Sequence, residues 1–364
     1  MNKQPDILVI GLGPAGACAA KAAALAGYSV LAIEKKTTAG TPVQCAEFVP
    51  AMIGAEVSAL HHSTIQPINS MVTRVEQQPA DRMPDFPGRM IDRAAFDLQL
   101  GQQAAQAGAK LRYGVRVREI SKSGKITLSD ASFVSPKIII GADGPHSVIG
   151  RSIGSGIDEF LETRQINLTL QQPFTSTDIY LSQQMPGGYA WAFPKGDTVN
   201  LGLGVHPKSK HKLKPFLDDL HHQLIDEGRV GRQIHSHTGG AIPAGGMVRP
   251  FGKRGQTLCL LAGDAAGLTN PITGAGINSA VISGQMAGET AARYLAGQPG
   301  APAEYMEDLD DLFGASIARA LAHKARLANH PHPGPEQLRS GWIAYPEYWQ
   351  LQPAAQLEET SCPV

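Results

Sequence analysis

Asp6-Ile-Leu-Val-Ile10-Gly11-Leu-Gly13-Pro-Ala15-Gly16, running into the alanine-rich residues 17–26, decides how this chain folds. The short apolar run ending at Ile10 reads as a buried parallel strand, and the alanines after the glycines read as a helix. Gly27 ends that helix, residues 28–33 read as a second strand, and Glu34 closes it. Strand, glycine turn, helix, strand and acid follow at the spacing of a dinucleotide site. Gly11 permits the tight turn, Gly13 lets a pyrophosphate approach the backbone, and Gly16 lets helix and strand pack closely. The helix N-terminus offers N–H groups and partial positive charge to phosphates. Glu34 can accept hydrogen bonds from both hydroxyls of an adenosine ribose, which argues against NADP in this cleft. Ala15 within the turn and Lys35 after the acid are further candidate nucleotide contacts.

Outward from this unit, composition sets bounds. The 364 residues can bury a large core, as one domain with a second lobe or two connected domains. Acidic and basic residues balance at 32 each, so no global field favours nucleic acid. Cys18, Cys45, Cys259 and Cys362 are scattered without CxxC spacing, which argues against a disulfide framework or a zinc site, and no metal is expected. The first strand begins too early to leave room for a signal peptide, and no apolar run approaches the ~20 residues of a membrane span. A cytoplasmic protein is expected.

Residues 37–42 form a loop leading to Val43-Gln-Cys45-Ala-Glu-Phe48. Cys45 lies near the nucleotide turn and reads either as a buried inert thiol or as a functional one. Residues 64–80 alternate as strands outside the nucleotide core. A helix is expected over residues 94–107, then strands over 110–117 and 125–129. Residues 137–141 form another buried strand, running into Ala142-Asp143-Gly144. This late return to the nucleotide core implies that an inserted sheet interrupts it.

Residues 163–205 read as antiparallel strands. In Gly187-Gly-Tyr189-Ala-Trp191-Ala-Phe193-Pro194-Lys195, period-two geometry puts three aromatics on one face opposite two alanines. That ladder is either core or an apolar substrate wall. A helix over residues 213–227 carries leucines on one stripe, with His221 and His222 expected in solvent. Residues 257–262 form the last apolar strand, entering Gly263-Asp264. Asn270-Pro271-Ile-Thr-Gly274-Ala-Gly276-Ile277 then opens a long helix to Leu295. Asp264 suits the hydroxyls of a sugar-alcohol, and the helix dipole suits a ring that becomes anionic. Residues 297–302 read as a linker and 315–329 as a basic helix. The tail is expected to expose Trp342, Tyr345, Tyr348 and Trp349.

Gly11-x-Gly13-x-x-Gly16, Gly141-Ala-Asp143-Gly144 and Gly263-Asp264, in that order, resemble the signature of FAD-dependent oxidoreductases of the p-hydroxybenzoate hydroxylase type. Tyr189-x-Trp191-x-Phe193-Pro194-Lys195 and the stretch from Gly263 to Gly274 are similar to the geranylgeranyl reductase branch, although Ala275 stands where that branch commonly has an acid. The resemblance implies an α/β fold, with a Rossmann-like three-layer ββα FAD-binding domain and an inserted antiparallel-sheet substrate domain. The expected division is residues 1–70, 89–155 and 255–300 for FAD, 71–88 and 156–254 for substrate, and 301–364 as a C-terminal helical segment and tail. It further implies Glu34 at the adenosine ribose, Asp143 near the pyrophosphate, Arg93 near the flavin and Asp264 at the ribityl chain. Gly274, Gly276 and Ile277 would face the pyrimidine end of the ring. Tyr189, Trp191 and Pro271 would line the substrate cavity, with Cys45 beside it.

A second GxGxxG is absent, so NAD(P)H is expected as a transient reductant. The favoured expectation is a monooxygenase hydroxylating a small aromatic, or a tryptophan on a partner protein as in tryptophylquinone maturation. The alternatives are a carbon–carbon double-bond reductase on a prenyl substrate, with Cys45 or Tyr189 supplying a proton, and a non-enzymatic escort-type carrier.

Overall fold

The computed structural model describes residues 4–51, 59–185, 187–330 and 332–351; Cys362 lies outside them. Six strands form the nucleotide sheet, in the order Phe251–Arg254, Thr257–Leu261, Ile138–Gly141, Ile7–Ile10, Val30–Glu34 and Lys110–Tyr113. All neighbours are parallel except the Phe251–Arg254 edge. The three central strands are buried throughout, as a sheet covered on both faces requires. Helices Pro14–Leu25, Arg93–Gln106 and Ile277–Leu295 lie together in one layer. A three-stranded antiparallel sheet (Val117–Ile120, Ile126–Leu128, Phe133–Val134) shares the same core through Ile126 and Leu128. This is the expected α/β three-layer arrangement.

Register explains how distant motifs meet. Ile10 pairs with both Ile33 and Gly141, and Gly141 pairs with Leu261. Gly11, Glu34, Ala142 and Ala262 therefore leave the sheet at one level, at the carboxyl ends where parallel sheets bind ligands. Helices Pro14–Leu25 and Ile277–Leu295 approach unusually closely: a Cβ at Gly284 would lie 2.1 Å from the Ala15 carbonyl oxygen, and one at Gly288 2.4 Å from that of Ala19.

The second sheet runs Val230–Thr238, Phe160–Leu170, Thr198–Val205, Tyr189–Lys195, Ser176–Leu181, Ser70–Val75 and Asp81–Met83, with Ala241–Pro243 pairing the start of Phe160–Leu170. It is antiparallel except where Ser176–Leu181 pairs Ser70–Val75. Ala190 and Ala192 pack beneath helix Leu213–Asp226, while Trp191 and Phe193 pack on the opposite face with Met71, Ile179 and Leu181. The expected period-two split of this strand is observed.

Several expectations are corrected. Residues 110–117 are not one strand: Gly114, at φ +74°, turns the chain from the first sheet into the small one. The expected 297–302 linker already starts a helix at Ala301. His221 is buried on the leucine stripe, its Nε2 3.1 Å from the Gly231 carbonyl oxygen. The tail aromatics are largely covered, with Trp342 3 % and Tyr348 2 % exposed; Trp349 alone of the four is mainly in solvent. Among the described residues no helix is long and apolar enough to cross a membrane, and no His/Cys/Asp/Glu group could hold a metal.

Candidate active site

The three glycine motifs converge. A Cβ at Gly11 would stand 2.2 Å from the Ala142 carbonyl oxygen and 3.1 Å from the Asp143 Cα. A Cβ at Gly263 would stand 3.1 Å from the Ala15 Cβ. Gly16 fits only because its missing Cβ would lie 1.8 Å from the Gly11 carbonyl oxygen. Gly13 differs, since a Cβ there would meet nothing within 4 Å. It borders open space at the start of helix Pro14–Leu25, whose N-terminus no side chain caps. An open, uncapped cradle beside a bare glycine is the shape a pyrophosphate needs, so the residues present fit FAD.

Around this cradle the polar groups are held in place. Glu34 accepts hydrogen bonds from the Leu12 amide (2.8 Å) and the Lys36 amide (2.9 Å), which fixes its carboxylate against the turn. Lys35 is exposed beside it. The Asp143 carboxylate turns into the Val148–Ser152 helix, accepting from the Ser147 hydroxyl (2.6 Å) and the Val148 amide (2.7 Å), while its backbone stays against Gly11. Burial raises its pKa and these bonds oppose the rise. Gly144, at φ +79°, has open space at its Cβ position.

Farther along, Asp264 accepts from the Thr269 hydroxyl at 2.7 Å, and burial raises its pKa. Gly276 begins the second uncapped helix; a Cβ there would press on both Thr269 Oγ1 (2.8 Å) and Asp264 Oδ1 (3.2 Å). Asn270 Oδ1 accepts from the Ile272 and Thr273 amides and shapes the loop that carries buried Pro271, Gly274 and Ile277.

Facing this loop is the aromatic ladder. The Tyr189 hydroxyl donates to the Thr273 carbonyl at 2.6 Å, and burial pushes its pKa up. Trp191 Nε1 donates to Gln165 Oε1 (3.0 Å), and Gln165 Nε2 donates to the Cys45 carbonyl (3.2 Å). Gln165 thus joins the ladder to the cysteine loop. Burial raises the Cys45 pKa, with Arg93 acting in the opposite direction. For Arg93, burial alone would favour the neutral form; Asp97, gripped at 2.8 and 3.1 Å, and Cys45 together outweigh it and keep the guanidinium charged. Asp97 and Arg93 stand one turn apart on one helix, so the pair is preorganised.

Sequence reasoning missed Glu47. Only 3 % exposed and at φ +68°, its carboxylate receives Lys195 Nζ at 2.8 Å on both oxygens, Asn200 Nδ2 at 3.0 Å and the Arg93 amide at 3.0 Å. Lys195 closes the aromatic motif, so its position was visible, but its partner lies 148 residues away. Gln165 and Thr269 left no local signal either. Trp342, expected in solvent, instead packs on Tyr189 with ring centroids 4.7 Å apart.

Comparison with known proteins agrees with this geometry. Residues 160–241 match the geranylgeranyl reductase catalytic domain. The digeranylgeranylglycerophospholipid reductase of Methanocella arvoryzae is 32 % identical over 351 residues, covering 87 % of this chain and 86 % of that protein. A geranylgeranyl bacteriochlorophyll reductase-like structure from Thermoplasma acidophilum superposes with TM-score 0.80 at 25 % identity, covering 92 % of this chain and 89 % of the other. The flavin-dependent brominase Bmp2 (TM-score 0.68, 20 % identity, 89 % and 87 % covered) shares the fold alone. These likenesses favour the reductase alternative over the expected monooxygenase chemistry, and the tryptophan-bearing partner finds no support. With its three motifs gathered at the carboxyl ends of neighbouring strands and its relatives matched along most of their length, the chain is a FAD-dependent enzyme belonging to the geranylgeranyl reductase family.

Proposed function

We propose that this enzyme reduces carbon–carbon double bonds of a prenyl lipid. The observation that carries the reading is an apolar ladder tied through Gln165 to the backbone carbonyl of Cys45, whose thiol is desolvated. The relatives' names supply the substrate class. Bound FAD would supply the redox chemistry, taking two electrons from a reductant of the NAD(P)H type and delivering hydride to one alkene carbon. The second alkene carbon then needs a proton, and the balance is one hydride and one proton per double bond.

Cys45 is the group suited to deliver that proton. Burial holds it as a neutral thiol, and Arg93 beside it would stabilise the thiolate left behind. Tyr189 is the poorer donor, because its proton is committed to the Thr273 carbonyl. Its role is to pin the ladder to the loop of Gly274 and Gly276. Trp191 and Pro271 exclude water from the reacting alkene. Glu34 would receive the adenosine ribose, the free edge of Asp264 the ribityl hydroxyls, and Arg93 would lie near the ring. The N-terminus of helix Ile277–Leu295 would favour negative charge on the ring's pyrimidine edge, an effect worth up to ~2 kcal/mol in partly buried geometry.

The test is product analysis after anaerobic incubation with geranylgeranyl lipid and NADH or NADPH. Saturation of prenyl double bonds supports the reading. An unchanged lipid with both nicotinamides, from protein carrying FAD, refutes it.

A further inference from the structure

The ladder is not an open wall. Trp342 lies across it, its ring 4.7 Å from that of Tyr189 and its Nε1 3.3 Å from Met71 Sδ. Tyr189 and Met71 belong to strands separated by a third, Ser176–Leu181. The indole therefore bridges that strand and covers Ile179 and Leu181 on the ladder's face. Beneath it the register partner of Met71 is Thr177, whose buried Oγ1 has no hydrogen-bond partner among the described residues.

The segment that carries the indole is fastened differently from the rest of this face. Pro335–Ser340 and Pro346–Gln350 are short helices with no strand pairing to the sheet. Arg339 Nε and the Tyr345 hydroxyl both reach Asp81, at 2.9 and 2.6 Å, and Arg339 also reaches Gln78. Asp81 itself is half-exposed on the edge strand. A buried aromatic is thus held over an apolar surface by a polar clasp at the rim.

We propose that Trp342 sets the length of prenyl chain this enzyme accepts. A chain whose reacting alkene lies near Cys45 would run along Trp191 and then meet the indole, so short prenyl groups would stop before it. A longer one requires Trp342 to swing out, uncovering Ile179, Leu181 and the unpaired Thr177 hydroxyl. This deepens the prenyl reading and rests on it.

The test is equilibrium binding of geraniol, farnesol and geranylgeraniol to the FAD-loaded wild type, Trp342→Ala, Trp342→Leu and Trp342→Phe, followed by perturbation of flavin absorbance, with anaerobic turnover measured beside it. Trp342→Ala and Trp342→Leu should tighten geranylgeraniol relative to geraniol about tenfold or more, the scale of several newly buried methylenes. Trp342→Phe should fall between them and the wild type. An identical change for all three alcohols, or no change, overturns the proposal and leaves Trp342 a core residue. Trp342→Leu and Trp342→Phe keep apolar bulk, so the ratio stays measurable if alanine unfolds the chain. Binding is read without turnover: length-dependent binding with no reduction of any alcohol or of geranylgeranyl lipid would refute the reductase reading and uphold the length selection, while reduction at one unchanged length ratio would do the reverse.

Discussion

Glu47 and Lys195 join the cysteine loop to the end of the aromatic strand, with the ammonium 2.8 Å from each carboxylate oxygen. Asn200 and the Arg93 amide saturate the same carboxylate. The loop bearing Cys45 is therefore located by charge at its far side and by Gln165 at its near side. Removing one partner of such a buried pair strands the other. Lys195→Met should cost about 3 kcal/mol in urea unfolding. The double variant Glu47→Gln/Lys195→Met should be less destabilised than the single one, with the coupling read from the double-mutant cycle.

Gly13 and Gly16 should fail in different ways. Gly13 has ordinary extended backbone angles (φ −73°, ψ −172°) and faces space, so Gly13→Val should fold normally. It should nevertheless bind FAD about 100-fold more weakly, or about 2.7 kcal/mol, because the side chain fills the pyrophosphate cradle. Gly16→Ala puts a methyl into the Gly11 carbonyl and should cost about 1–3 kcal/mol of stability instead. Flavin titration and thermal unfolding separate the two.

Cys45→Ala should retain the flavin spectrum and lose at least about 100-fold in turnover, the range for one general acid. The pH profile follows from the direction of the shift. A proton donor acts only while protonated, and burial raises this thiol above its ordinary value. Activity should therefore hold through neutral pH and decline only when alkaline pH ionises the thiol.

The Asp81 clasp should open in acid. The bond from Tyr345 is the largest cause that holds the Asp81 pKa below the usual carboxylate value, with Arg339 adding to it while partial burial opposes both. A depressed carboxylate stabilises the folded clasp above its unfolded pKa of about 3.9, and that contribution is lost as pH falls through the lower folded value. Trp342 emission should shift to the red over that acid window, and Asp81→Asn should show the shifted emission already at neutral pH.

What could be read from the sequence follows from how locally each feature is encoded. The Gly11–Gly16 turn, Glu34 and the alternation of Tyr189, Trp191 and Phe193 sit within single elements, where periodicity and backbone sterics speak directly. Asp264 was visible because a strand, a glycine turn and a helix surround it. Glu47 was not: its partners Lys195 and Asn200 come from the other sheet, and a lone glutamate two residues after Cys45 carries no pattern. The tail misled for the same reason. Trp342 and Tyr348 lie among prolines and charges that suggest solvent, yet Tyr189, Met71 and His323 meet them from far away in the chain. The monooxygenase expectation gives way to the reductase alternative on the likeness to the relatives, not on the burial of the tail.

The most direct measurement is anaerobic stopped-flow of the protein with its flavin already reduced. Mixed with geranylgeranyl lipid, the oxidised absorbance should return, in step with saturation of the lipid. If that absorbance returns only when oxygen is admitted, and the lipid emerges unreduced, the double-bond reductase account is wrong.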